Sequence, residues 1–197
     1  MIRNTMHFVI FISSLSSGGA ERVAVNIAKA WSARGDKVTL ITLAPIEMDF
    51  YTLDPQIQRI GLDLFRDSRN SFVGIWENVR RVWCLRRQLK RLKPDVVVGM
   101  GTSSNILAVL ASLGLACCVV VAEHIYPPMF PLSPIWERLR RWTYPHASVV
   151  LALTDESRKW IKENCPGSHV AMIPNAIQLP LSDGKSRIEP EEILPDS

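Results

Sequence analysis

The chain has 197 residues, 47% of them hydrophobic, with a formal net charge of +4. Such a length and composition suit one well-packed domain, or one domain and a tail, and exclude a disordered polar chain. The mild positive charge favours an anionic partner, such as a phosphorylated ligand or a membrane surface.

The four cysteines form no CxxC pair and no zinc-like spacing, which points to a reducing cytoplasm. Cys117 and Cys118 lie in an apolar run and read as core packing. The amino terminus lacks the features of a signal peptide, because its apolar piece FVIFI is short and polar serines follow it.

In chain order, HFVIFIS (His7 to Ser13) reads as a buried strand. SSLSSGGAER follows, then a helix over residues 20–33 with Val23, Ile27, Ala30 and Trp31 on one face. The adjacent Gly18 and Gly19 have two physical explanations. Glycine reaches backbone angles that a tight strand-to-helix turn needs. It also lets another molecule approach the backbone at a helix start, where free N–H groups favour an anion.

KVTLIT (37–42) is the next strand and IQRIGLDL (57–64) a weaker one. Residues 71–92 make one long helix ended by Pro94, and DVVVGM (95–100) is a buried strand. GTSSN reads as a loop and cap in which Ser103 and Ser104 are the capping residues. The uncharged span 106–122 approaches the length of a membrane crossing. Gly114 divides it into a Leu/Ala-rich half and a valine-rich half, so a buried helix followed by a buried strand is expected. A helix over 133–142, a strand over 148–154, a capped helix over 155–165 and a last strand over 169–175 complete the pattern.

Strands alternate with helices, and the central strands are apolar on both faces. The expected fold class is therefore α/β, a Rossmann-like parallel sheet with helices on both faces. Such sheets bind ligands beyond the carboxyl ends of their strands. SSGGAER, GTSSN, EHIYP, TDES and PNA all follow strands and should share that edge. From residue 178 onward apolar periodicity stops, which reads as a linker or tail after a domain spanning 1–177.

GGAERVAVNIAKAWSARGDKVTLIT, then YPHASVVLALTDESRKWI and VAMIPNAI, stand in an order and spacing that resemble the N-terminal half of glycosyltransferase family 4. The likeness covers residues 6–177 and implies the N-terminal half of a GT-B fold, the half that mainly binds the acceptor. It also implies a retaining transferase that uses a nucleotide sugar as co-substrate, without a metal or other cofactor. The acceptor would be a saccharide or a lipid-linked saccharide.

By that resemblance Gly18 and Gly19 lie near the donor diphosphate or an acceptor phosphate, and Arg22 reaches a phosphate or stays at the surface. His124 lies near the acceptor hydroxyl, where an imidazole can position it or shuttle a proton. Glu123 orients His124 or meets a cation. Ser103 is a candidate acceptor contact, and Asn175 borders the cleft. Where many relatives have an Asp soon after this Asn, Gln178 stands here.

The helix over 71–92 and its end carry Arg80, Arg81, Arg86, Arg87, Lys90, Arg91 and Lys93, opposed only by Glu77. This suits a solvated face over a packed stripe, or the inner surface of an anionic membrane. No nucleic-acid recognition motif accompanies it. The family's E-x7-E pattern, expected in a donor-binding domain, is absent. The expectation is thus an incomplete enzyme, inactive alone and needing a C-terminal domain or partner subunit. A non-catalytic binding subunit and a different Rossmann-like enzyme are the competing readings.

Overall fold

The computed structural model of the chain describes residues 5–65 and 71–175. Seven strands form one sheet: β1 (His7–Ile12), β2 (Lys37–Thr42), β3 (Gln58–Gly61), β4 (Val96–Met100), β5 (Cys118–Glu123), β6 (Val149–Ala152) and β7 (Val170–Met172). Every pair is parallel, in the order β3-β2-β1-β4-β5-β6-β7. The helices are α1 (Gly19–Ala33), α2 (Ser71–Leu92), α3 (Thr102–Ser112), α4 (Pro134–Thr143) and α5 (Asp155–Asn164). The tail expected from residue 178 lies outside the described residues.

The order reverses between β1 and β4. A right-handed crossover places its helix according to the direction of travel. Thus α1, which carries the chain from β1 to β2, packs on one face, where Ala24, Val25 and Ala28 meet Ile10, Ile12, Val38, Leu40, Val98 and Met100. The later crossovers run the other way and load the opposite face. There Leu85 and Leu89 of α2, and Leu107, Ala108 and Ala111 of α3, cover Val9, Phe11, Ile41 and Val97. A third cluster joins Ile106 and Val109 of α3 and Ile161 of α5 to Val119, Val121, Val150 and Ala152. β1 is buried along its whole length because it lies in the middle and is covered on both faces.

Two expectations need correction. Cys118 is exposed, because it opens β5 at the amino edge, while Cys117 is half-buried and packs against the core, and Cys165 is the buried cysteine. Burial raises the Cys165 thiol to about 11, which makes it inert rather than reactive. Ser103 and Ser104 do not cap α3. The cap position is Gly101, at φ 86°, and no side chain bonds there. The apolar span 106–122 is, as expected, a helix ending at Ser112 and a strand starting at Cys118, and among the described residues no helix is long and apolar enough to cross a membrane.

Gly99 lies where α3 approaches β4 closely. A Cβ there would lie 3.0 Å from both the Cα and the Oδ1 of Asn105. Gly99→Ala is therefore expected to push α3 off the sheet and cost about 1–3 kcal/mol, read as a lower urea midpoint with unchanged slope.

Candidate functional site

The order reversal between β1 and β4 opens a crevice at the carboxyl edge, the usual ligand position of such sheets. The loop after β1 and the start of α3 meet there, with the Ser13 and Ser104 hydroxyls 3.0 Å apart. The β1 loop is held from behind by the segment after β2. The Phe50 amide donates to the Leu15 carbonyl at 2.9 Å, and the Tyr51 hydroxyl donates to the Gly18 carbonyl at 3.1 Å.

Gly18 caps α1 at φ −80° and ψ 166°, an extended conformation open to any residue. Neither Gly18 nor Gly19 has a positive φ. The backbone-angle explanation of the pair is therefore removed, and clearance remains. A Cβ on Gly19 would meet nothing within 4 Å, whereas one on Gly18 would collide with the carboxylate of Glu21, which lies against the turn. The first helical bond of α1 runs from the Arg22 amide to the Gly18 carbonyl at 3.2 Å. The amides of Gly19, Ala20 and Glu21 thus have no carbonyl within the helix to bond. Arg22 is exposed beside them.

His124 follows β5 and is half-buried. Its Nε2 is a buried atom with no hydrogen-bond partner among the described residues. Burial lowers its pKa, and the negative charge of Glu21 works against that shift. Glu21 is therefore electrostatically close to His124, and its Oε1 also accepts a hydrogen bond from Ser16 at 3.3 Å. At neutral pH the imidazole is uncharged and able to accept a proton.

Glu123 points inward and is 2% exposed. Its carboxylate accepts from the Thr102 hydroxyl at 2.8 Å and from the buried Tyr144 hydroxyl; no bond links it to His124. Asn105 Nδ2 donates to the Ala122 carbonyl at 3.0 Å and to the Tyr144 oxygen at 3.2 Å. Burial raises the Glu123 pKa, opposed by the Tyr144 and Thr102 hydrogen bonds and by the charge of Arg140. Burial and the Glu123 charge also raise that of Tyr144, so Tyr144 keeps its proton and donates it.

Gly18, Gly19, Arg22, Ser103 and His124 thus share the edge on and beside the crevice, with Ser103 exposed in the first turn of α3. Glu123 lies beneath it. Asn175 is exposed past β7, two strands beyond β5, a displacement of about 10 Å at normal strand spacing. The sequence reading missed Gly101, whose amide bonds the Ala122 carbonyl at 3.0 Å, and the inner group of Thr102, Asn105 and Tyr144. A glycine between strand and helix signalled Gly101, as it did Gly18. Tyr144 had no local signal, because its partner is 21 residues away. Among the described residues no group of three or more His, Cys, Asp or Glu is placed to hold a metal ion.

The sequence matches Glycosyltransferase Family 4 over residues 17–180, and the chain belongs to that family. It is 31% identical over 149 residues to the GalNAc-alpha-(1->4)-GalNAc-alpha-(1->3)-diNAcBac-PP-undecaprenol alpha-1,4-N-acetyl-D-galactosaminyltransferase of Campylobacter jejuni, covering 75% of this chain and 40% of that one. A glycosyltransferase from Rickettsia africae has the same fold, with TM-score 0.64 at 17% identity, over 89% of this chain and 44% of that one. So does a UDP-N-acetylglucosamine 2-epimerase from Rickettsia bellii, with TM-score 0.61 at 16% identity, over 85% and 44%. The fold alone therefore does not separate transfer from epimerisation. The chain spans less than half the length of each of these proteins.

A ring-nitrogen titration of His124 by NMR should give a midpoint below the ordinary histidine value of about 6.5. Glu21→Gln removes the opposing charge and should move the midpoint lower still. A midpoint unchanged by Glu21→Gln would separate the two side chains.

Proposed function

We propose that this chain is the acceptor-binding half of a retaining, nucleotide-sugar-dependent glycosyltransferase. It would form the catalytic cleft with a second domain or a partner subunit, and the acceptor would be a saccharide or a lipid-linked saccharide. The observation that carries this reading is the pairing of a glycine-flanked helix start, open at Gly19, with a half-buried histidine whose Nε2 is unpartnered. The family match and the lipid-linked substrate in the name of the Campylobacter relative support it.

In this arrangement His124 accepts a hydrogen bond from the acceptor hydroxyl and fixes its direction of attack. The acceptor oxygen bonds the anomeric carbon of the donor as the bond to the diphosphate oxygen breaks, and the hydroxyl proton passes to His124 Nε2. The α1 amides and Arg22 attract the phosphate charge nearby. Glu123 is a positioning residue, holding the β5 end and the α3 start together through Thr102 and Tyr144. No metal or other cofactor is required of these residues.

The enzyme would sit at the inner face of the membrane, with α2 toward the anionic surface. Not every cation of α2 is available for that purpose. Arg86 donates to the Ala111 and Leu113 carbonyls at the end of α3, at 2.8 and 2.7 Å, and Arg81 donates to the Leu64 carbonyl at 3.1 Å. Arg80, Arg87, Lys90, Arg91 and Lys93 are exposed, beside Trp76 and Trp83, which are 72% and 59% exposed. Cations and interfacial aromatics together suit an anionic bilayer.

The test is transfer of radiolabelled sugar from a panel of nucleotide sugars to a short-chain polyprenyl-diphosphate saccharide by the native enzyme. His124→Ala is expected to lower turnover by roughly 10²–10⁴-fold without changing the fold by circular dichroism. The 197 residues by themselves should transfer nothing above background. Full turnover by the His124→Ala enzyme, or robust transfer by this chain alone, would overturn the reading.

A further inference from the structure

A groove of about 620 Å³ lies between α2, α3 and α4, within the roughly 300–1,000 Å³ typical of small-molecule sites. Its walls include Ile75, Val79 and Trp83 from α2, Leu110 from α3, and Ile135 and Leu139 from α4. Besides the indole N–H groups of Trp83 and Trp136, the polar lining side chains are Asn78 and Arg86, and both already make hydrogen bonds within the protein. The Asn78 side-chain oxygen accepts from Arg81 at 2.9 Å, and Arg86 is spent on the end of α3. A sugar or nucleotide needs polar partners that these walls do not offer. A hydrocarbon chain needs none.

Two observations identify which hydrocarbon. First, the topology gives the groove a direction. In a parallel sheet each crossover helix starts at the carboxyl edge, so Ile75 near the start of α2 and Ile135 near the start of α4 mark the end of the groove closest to His124. Both are more than half exposed, at 54% and 59%, so that end is open. Second, the rim carries cations. The guanidinium of Arg87 lies 5.8 Å from the ring of Trp83, a wall of the groove, and Arg138 is exposed on α4. Such a rim complements an anionic headgroup and disfavours a second copy of the chain, which would bring like charges together.

We propose that this groove holds the hydrocarbon tail of a phosphate-headed lipid, the acceptor's own polyprenyl chain, with its head at the carboxyl edge. This rests on the lipid-linked acceptor reading and extends it. Specificity for the acceptor would then include its tail as well as its sugars.

The test titrates the full chain with geranylgeranyl phosphate below its micelle concentration and follows tryptophan emission, since Trp83 and Trp136 line the groove. A saturable blue shift is expected, absent with inorganic phosphate. Ile135→Asp and Val79→Asp place a carboxylate in the groove from exposed positions and should each weaken binding about tenfold or more. Met6→Asp, on an exposed residue at the opposite edge, should not. Equal binding by wild type and both groove variants would overturn the proposal. So would a response that appears only once the lipid forms micelles or vesicles, since that is contact with a bilayer surface. The readout needs no sugar transfer. Intact lipid binding with failed transfer would remove the transferase reading and leave the groove, and the reverse result would do the opposite.

Discussion

Parallel pairing is the constraint on which the rest of this molecule depends. A parallel strand cannot be joined to its neighbour by a tight turn, so each must be reached by a crossover along the sheet. All seven strands run one way here, so the loops that leave them gather at one edge, and the helices after those loops begin there. Right-handed crossovers then assign the faces, α1 to one and the later helices to the other. The crevice between β1 and β4 is a consequence of that reversal. The glycine loop and the start of α3 are neighbours because β1 and β4 are hydrogen-bonded neighbours, although 83 positions separate Gly18 from Gly101.

The crevice has a polar floor. Thr102, Asn105, Glu123 and Tyr144 join α3, β5 and the turn after α4 into one hydrogen-bonded unit. Three of them, Asn105, Glu123 and Tyr144, are almost wholly buried. These shared hydrogen bonds fix the arrangement of the three elements, although the buried Asn105 Oδ1 itself has no partner. The raised Glu123 pKa has a thermodynamic sign. A carboxyl whose folded pKa lies above its unfolded value favours folding most below that unfolded value, and the benefit fades as pH rises through the folded one. The network therefore serves geometry more than stability at neutral pH. It fixes the strand end from which His124 emerges, while His124 keeps an unpartnered nitrogen.

The framework was legible in the sequence because its signals are local. Apolar runs such as VVVGM and SVVLA are too short for helices, and the stripe of α2 repeats at helical spacing. Turn residues such as Gly35 and Pro94 punctuate them. The edge loops followed from the rule that ligands gather at the carboxyl ends of parallel strands. What stayed hidden depended on contacts across the chain. The direction of the Glu123 side chain is set by Thr102 and Tyr144, neither of which the strand pattern reveals. Cys118 reads as core from its neighbours, yet it opens the strand where no helix reaches. Ser103 and Ser104 are favourable cap residues, but the sharp turn out of β4 needs a left-handed φ that only Gly101 adopts cheaply. The groove between α2 and α4 was out of reach for the same reason, since its walls come from three separated helices.

The central claim is that the carboxyl edge beside the β1–β4 reversal receives the acceptor. Its most direct test is amide and histidine chemical-shift mapping of the isotopically labelled chain with a soluble polyprenyl-diphosphate-linked saccharide. The account predicts that the largest changes fall on Gly18, Gly19 and the His124 ring, with smaller ones at Thr102 and Ser103. Changes confined to the amino edge of the sheet or to the β7 side, with these residues unmoved, would contradict it.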